Sequence, residues 1–213
     1  SLVILVGAGA RSLILRQILP EFSLAYPNIE VRISEAMPEE AKELLLKREA
    51  DFLISGDGSF SSTEDFAIEV IKAIPMFIFV RKDHPLSGGD LDFLSLLNYP
   101  LVTASYFSSE HHFLKKVSQR LKQDISISPK IVCSDYTALK EIVLRSDSWM
   151  VSPKLHLFMD KELEESALVS LPMGKLELKN NLSVIELSDR SRSPAAKMFL
   201  KMCHSHFEKL ALD

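Results

Sequence analysis

The chain opens on an apolar run without polar interruption, Leu2-Val3-Ile4-Leu5-Val6, which has strand length and the composition of a strand covered on both faces. It predicts a central parallel strand. Over about residues 11–26 the period changes: Ile14, Ile18 and Phe22 recur four apart with Leu15 and Leu19 beside them, the stripe of an amphipathic helix that Pro20 should kink or restart. Tyr26-Pro27-Asn28 ends that helix, and Ile29, Val31 and Ile33 alternate as a second strand. Pro38 at a first helical position, Glu39 and Glu40 after it, and Lys47 and Arg48 at the far end match the sign of a helix dipole. Ala41, Leu44, Leu45 and Arg48 share its inner side. A third strand at 52–54 completes a βαβαβ order, the signature of a parallel sheet with right-handed crossovers, before a Gly-, Ser- and Asp-rich loop over 56–64.

Two further strands are predicted at 66–71 and 76–80. Asp83-His84-Pro85-Leu86-Ser87-Gly88-Gly89 then supplies turn formers where a second lobe should begin. Its elements read as a strand entered through Asn98-Tyr99-Pro100 and running over 101–103, a helix from about 109 to 122 on Phe113, Leu114, Val117 and Leu121, and a short strand at 131–133. Ser134 or Asp135 should cap a helix carrying Leu139, Ile142 and Val143, followed by strands at 149–151 and 168–171. The segment 182–187 reads as a return to the first lobe, which makes the lobes discontinuous in sequence and joined by two crossings. Ser193 should cap a final helix begun by Pro194, with Phe199, Met202 or Cys203, His206 and Leu210 as its buried stripe.

With 25 basic against 29 acidic residues, a net charge of -4, the chain lacks the excess of Lys and Arg that a phosphate backbone requires, so nucleic acid is not expected as its direct ligand. Its 213 residues suffice for one domain or two small lobes without a metal or disulfide. Cys133 and Cys203 are too far apart for a zinc knuckle or redox pair and are expected reduced and buried. The longest apolar runs, such as 74–80, fall short of a membrane span and no signal sequence opens the chain, which reads as cytoplasmic and as a fragment cut at a domain boundary. Cys203-His204-Ser205-His206 puts a possible ligand pair on one helical face, but Phe199, Met202 and Leu210 share that side and make it a core stripe. His111-His112 beside Glu110 reads as surface. No nucleophile elbow, phosphate loop, complete dinucleotide fingerprint or zinc-protease motif is present, so no catalytic residue, metal or cofactor is assigned.

Several local patterns together resemble the effector-binding domain of LysR-type transcriptional regulators. They are the strand breaking at Gly7-Ala8-Gly9, the run from Pro20-Glu21-Phe22 to Tyr26-Pro27-Asn28-Ile29-Glu30-Val31, and Asp51-Phe52-Leu53-Ile54-Ser55-Gly56. Val80-Arg81-Lys82-Asp83-His84-Pro85-Leu86, Asp92-Phe93-Leu94-Ser95-Leu96-Leu97-Asn98-Tyr99-Pro100-Leu101-Val102, Met150-Val151-Ser152-Pro153 and Arg192-Ser193-Pro194-Ala195-Ala196 follow in the family's order. The resemblance implies an α/β, two-lobed type 2 periplasmic-binding-protein-like fold, each lobe a mostly parallel sheet flanked by helices, with two crossover strands. Lobe I would comprise 1–83 and 182–213, and lobe II 84–181. It also implies an N-terminal winged helix-turn-helix absent from this chain, DNA binding only through that domain, homodimers in which lobe one packs antiparallel on lobe two of the partner, and a tetramer in the full-length form. Such a domain is a sensor of a small-molecule effector, a small organic acid or a more apolar metabolite, and not an enzyme. A transporter's solute receptor or an α/β enzyme of the same fold group are the alternatives.

In the implied fold the ligand sits where loops leave the carboxyl ends of parallel strands and face helix N-termini. The loops 7–12, 35–38, 55–58 and 105–109 meet that description, giving Gly9, Ala10, Arg11, Ser12, Met37, Ser55, Gly56, Tyr106, Phe107 and Ser108 as candidate ligand-binding residues. A carboxylate would lie on the backbone N–H groups near Ala10 and Arg11, with the ligand's body against Tyr106 or Phe107. Where the family commonly has hydroxyl residues after the first and second strands, this chain has Gly9 and Pro38. Anion capture then depends on backbone groups, Ser12, Ser108 and Arg11, and a less acidic or more apolar ligand is expected. A second departure is Ser146-Asp147-Ser148, where the family favours glycines and the turn must be rebuilt.

Overall fold

In the computed structural model, β1 (Leu2–Val6) lies between β2 (Val31–Glu35) and β3 (Phe52–Gly56), parallel to both. Described are residues 1–56, 60, 63, 65–89, 92–104, 112–153, 167–172 and 178–209, apart from the side chains of Ser12, His112, Phe113 and Lys116. The chain divides into two compact units, residues 1–74 with 180–209 and residues 75–179. It passes from one to the other on β4 (Phe66–Arg81) and returns on β9 (Leu178–Leu187).

In the first unit the strand order is β2-β1-β3-β9-β4, with β9 antiparallel to β3. Register sorts the side chains into two faces. Leu5, Leu53 and Ile185 stand in one row, and Ala41 and Leu45 of α3 (Pro38–Leu46) pack on them with Ala36, Ala50, Phe66 and Leu187. Ile4 and Phe52 stand on the opposite face, where Phe199 lies 6.3 Å from Phe52 and edge-on to Phe22 at 5.0 Å. Phe22 belongs to α2 (Leu19–Ala25) and Phe199 to α7 (Pro194–Lys209). Both are fully buried, and rings stacked edge-on at this spacing contribute about 0.5–1.5 kcal/mol beyond their burial.

The first helical segment is not one continuous α-helix. α1 (Ala8–Leu13) gives way to a π turn at Ile14–Ile18, after which α2 begins with Pro20 in its first turn. Proline has no N–H to give and its ring crowds the carbonyl four residues back, so one wider turn before it restarts the helix without breaking it. In α7, Ser193 Oγ accepts from Ala196 N–H at 3.1 Å, and the buried stripe is Ala196, Phe199, Leu200, Cys203 and Phe207. Met202 and His206 are half-buried at its margin, and Leu210 lies outside the described residues.

The strands expected at 66–71 and 76–80 are a single strand of 16 residues. Proline's fixed φ suits extended backbone, so Pro75 removes one ladder donor and leaves the strand continuous.

In the second unit, Phe77 to Arg81 pair antiparallel with β7 (Met150–Ser152) on one side and β8 (Leu168–Ser170) on the other. β5 (Val102–Thr103) runs parallel to β6 (Ile131–Val132). α4 (Phe93–Leu96), α5 (His112–Leu121) and α6 (Tyr136–Leu144) complete it. Asp135 caps α6, accepting from Thr137 N–H at 2.8 Å and Ala138 N–H at 3.3 Å. Trp149 is fully buried among Leu96, Leu101, Leu114 and Val117 and donates its indole N–H to Tyr99 O at 3.0 Å.

The Asp83-His84-Pro85-Leu86 turn is tied to the Ser146-Asp147-Ser148 turn. His84 Nδ1 accepts from Leu86 N–H at 3.1 Å and Nε2 lies 3.2 Å from Asp147 O, which places the imidazole proton on Nε2. Arg81 forks onto Asp147 Oδ1 at 3.0 and 2.7 Å. Ser146 Oγ donates to Ile142 O at 2.7 Å and accepts from Ser148 N–H at 3.2 Å. Among the described residues the non-glycine residues with positive φ are Arg48 and Lys122, so hydroxyl bonds in this turn do without the left-handed backbone that a glycine there would supply.

Candidate functional site

One step beyond the apolar row Leu5–Leu53–Ile185, the same face of the sheet carries Gly7, Ser55 and Ser183. This is the carboxyl end of β1 and β3. A Cβ at Gly7 would lie 2.1 Å from Ser55 Oγ and 2.9 Å from Ser55 Cβ, so glycine is what lets the two strand ends approach there. Gly7 N–H still donates to Ile54 O at 3.0 Å. Ser183 is fully buried, stands opposite Ser55 in register, and its Oγ has no hydrogen-bond partner. On the other face a Cβ at Gly56 would meet the Asn180 amide nitrogen at 2.6 Å, so Asn180 of β9 closes over the end of β3.

The start of α1 is partly spent on itself. Ala10 and Arg11 N–H groups both donate to Gly7 O, at 2.9 and 3.0 Å, and Ala10 is buried. The amides that helix geometry leaves over are those of Ala8 and Gly9, and no side chain caps the helix at Gly7. Gly9 is exposed. Arg11 Nη1 lies 2.7 Å from Glu35 Oε2, with 44% of the Arg11 side chain and 25% of the Glu35 side chain exposed. β1–β2 register sets Glu35 beside Val6, on the face that α1 covers, and so within reach of a first-turn arginine. Met37 is exposed and precedes α3, again without a side-chain cap, while Glu39 and Glu40 fill that helix's first turn.

The strand ends of the first unit thus bring together Gly9, Ala10, Arg11, Met37, Ser55 and Gly56. The Ser12 side chain and Tyr106, Phe107 and Ser108 lie outside the described residues. Glu35, Asn180 and Ser183 were not singled out by the sequence. Ser183, a hydroxyl inside the otherwise apolar Leu182-Ser183-Val184-Ile185, was the one available signal.

Away from the strand ends, Arg192 holds two carboxylates. Its Nε donates to both Glu186 oxygens at 3.0 and 2.9 Å and its Nη2 donates to Glu69. His204 Nε2 stands 2.8 Å from Glu69 Oε1 without the alignment of a hydrogen bond. Burial pushes Glu69 up, but the Arg192 guanidinium, by hydrogen bond and charge, with His204 beside it, holds the carboxyl below its ordinary range. Burial raises the Cys203 thiol to about 12. The Cys203–His206 face is therefore spent on the core and on Phe207, whose ring lies 5.4 Å from His206.

Two α/β units joined by β4 and β9 define a two-lobed binding-protein fold, and relatives of known class carry it. The family described as LysR substrate binding domain matches residues 1–208, and the chain belongs to that family. The SDS degradation transcriptional activation protein of Pseudomonas sp. (strain ATCC 19151) is 23% identical over 192 residues, 89% of this chain and 60% of that protein. The HTH-type transcriptional regulator YbhD of Escherichia coli K12, itself uncharacterized, is 25% identical over 185 residues, 85% of this chain and 56% of that protein. The chain thus spans less than two thirds of these relatives' length. Among solved structures, the Synechocystis PCC6803 CcmR regulatory domain in complex with 2-PG superposes with a TM-score of 0.77 at 21% identity, covering 98% of both chains. The cofactor-binding domain of the Cbl transcriptional regulator gives 0.78 at 17% identity, covering 99% of this chain and 89% of that one. The regulatory domain of MetR from N. meningitidis gives 0.75 at 18%, covering 98% and 94%. The domain is that of LysR-type regulators, which are not enzymes, and the solute-receptor and enzyme alternatives give way to it.

Proposed function

We propose that this domain senses a small metabolite held at the carboxyl ends of β1, β2 and β3 and relays its presence to a DNA-binding domain elsewhere in the full-length protein. The observation that carries the reading is the change of chemistry within one sheet face: Leu5, Leu53 and Ile185 are followed, two residues on, by Gly7, Ser55 and Ser183. Small and hydroxyl-bearing positions there gain nothing for the core, and they suit a bound polar group. Ligands of open α/β sheets bind in the crevice outside the carboxyl ends of the strands, which is where these positions lie.

The relay requires the effector to favour one arrangement of units or protomers over another, because equal affinity shifts nothing. In a homodimer, or a tetramer of the full-length form, that preference alters the spacing of DNA-binding domains on operator half-sites. A cytoplasmic location follows from the same reading. Among the described residues no helix is long and apolar enough to cross a membrane.

A thermal-shift screen of the chain against a metabolite library, with calorimetry on the compounds that raise Tm, tests the proposal. The expected result is a compound whose affinity falls at least about tenfold in Ser55→Ala, a loss of about 1.4 kcal/mol, while the urea midpoint of the ligand-free variant stays near wild type. A library without any stabilising compound, or affinities indifferent to Ser55, would remove the site from this place.

A further inference from the structure

We infer that Glu35 is a specificity-determining residue: an internal carboxylate that occupies Arg11 and turns the site away from anionic effectors, so that the effector carries no net negative charge. This rests on the sensor reading above and names the chemical class of its ligand. Three observations carry it. First, the charge-bearing group best placed to clamp an anion at the strand ends, the Arg11 guanidinium, is already held at 2.7 Å by Glu35 Oε2. Second, the Ala10 and Arg11 amides are committed to Gly7 O at 2.9 and 3.0 Å, which leaves a ligand carboxylate only the Ala8 and Gly9 amides of that first turn. Third, the described strand-end segments 7–12 and 35–40 set the one guanidinium of Arg11 against the carboxylates of Glu35, Glu39 and Glu40, leaving the local balance negative.

An incoming carboxylate faces a double cost. It must displace Glu35 from Arg11, and it must then sit beside the carboxylate it has displaced. The Arg11–Glu35 pair is partly exposed and weak by itself, so the discrimination comes mainly from the repulsion that remains after displacement. A neutral or cationic ligand meets neither cost. Exposed Met37, at the start of α3, offers it an apolar contact.

The test uses matched probes that differ in charge: benzoate against benzamide, and succinate against succinamide, titrated calorimetrically into wild type, Glu35→Gln, and the double variant Arg11→Gln with Glu35→Gln. Glu35→Gln keeps size and hydrogen bonding and removes the charge, and far-UV circular dichroism checks that each variant is folded. The expected result is a gain of at least about tenfold for the acids in Glu35→Gln, none for the amides, and loss of the gain in the double variant. Wild type binding the acids as well as Glu35→Gln does, or a gain that persists without Arg11, overturns the inference. Native mass spectrometry of the effector that wild type retains separates the two readings. A neutral or cationic mass supports both, and an acid overturns the charge assignment while leaving the sensor in place. A chain that retains nothing and answers no library compound overturns the sensor, and the Glu35→Gln titrations still decide the charge filter.

Discussion

Gly7→Ala should destabilise this domain, through a contact that only one further substitution can relieve. The new methyl would stand 2.1 Å from Ser55 Oγ, 2.9 Å from Ser55 Cβ and 3.5 Å from Ser55 Cα. Rotating Ser55 to another staggered χ1 moves the oxygen away, but Cβ is fixed by the backbone and stays where carbon atoms do not approach. The ends of β1 and β3 must then part by a few tenths of an ångström, at the expense of the Gly7 N–H bond to Ile54 O. Overpacking of this kind costs about 1–3 kcal/mol. No backbone strain adds to it, because φ at Gly7 is -75°, and alanine in that region returns about 0.4–1 kcal/mol by restricting the unfolded chain. Ser55→Gly removes both close contacts and leaves the ordinary 3.5 Å one, at its own cost of roughly 0.5–1 kcal/mol for glycine in a strand. Ser55→Ala removes only the oxygen. In urea unfolding followed by far-UV circular dichroism, Gly7→Ala should therefore lower stability, Ser55→Gly should restore most of the loss with a coupling of about 1–3 kcal/mol, and Ser55→Ala should restore little. Gly7→Ala within about 0.5 kcal/mol of wild type, or rescue by Ser55→Ala equal to rescue by Ser55→Gly, would refute the reasoning.

The Cys203 thiol should resist Ellman's reagent at pH 8 in the folded chain and react once urea unfolds it, with half-buried Cys133 labelled first. Its folded value of about 12 lies above the unfolded value of about 8.5, so the folded state keeps a proton the unfolded state releases. That stabilisation is full below the unfolded value and is lost as pH rises toward 12, amounting to about 2 kcal/mol by pH 10. Cys203→Ala should flatten this alkaline slope, and an unchanged slope would count against the assignment. At the acid end, Glu69 is held below its ordinary range, so its contribution is present above about pH 4.3 and is lost as pH falls through the folded value. Arg192→Met should move the acid-unfolding midpoint to higher pH and cost about 1–3 kcal/mol at pH 7 by taking the guanidinium from Glu186 and leaving Glu69 only His204, and Arg192→Lys should recover part of this; an unmoved acid midpoint in Arg192→Met would refute the pairing.

The first three strands and the helices between them were legible because apolar runs and helical stripes state burial directly. Pairing across the sheet was not. Arg11 stood out as a candidate clamp, but its partner Glu35 is 24 residues on, and only the β1–β2 register sets that side chain on the face of α1. Ser183 and Asn180 reach the ends of β3 from a strand more than a hundred residues later, and no local pattern states an antiparallel register. The strands expected at 66–71 and 76–80 are one, because extended backbone accommodates proline's φ at Pro75 and forfeits only a donor there. In α7 the stripe was phased through His206, while packing turned the helix to bury Phe207 with Phe199 and Cys203. The larger aromatic ring gains more from burial than the imidazole does.

The division of labour along β1 and β3 explains how so little sequence identity supports so close a fold. Solved relatives superpose with TM-scores of 0.74 to 0.78 at identities of 15% to 21%. What such chains need in common is a row like Leu5–Leu53–Ile185, where any well-sized apolar set packs against a helix face such as that of Ala41 and Leu45. On the function proposed above, what a ligand meets lies one row further on, at Gly7, Ser55 and Ser183, which share the face of that row, and at the helix starts carrying Gly9, Arg11 and Met37. Apart from added bulk at Gly7, a substitution there changes hydrogen bonding or charge at the strand end with little effect on the row beneath it. Gly9 and Pro38, which stand where the resemblance leads one to expect hydroxyls, are changes of this kind, and so is the commitment of Arg11 to Glu35. The fold can therefore be inherited while the effector is not, and on the function proposed above the ligand is to be sought by the charge and shape of this chain's own strand ends, not by the ligand of a relative that superposes on it.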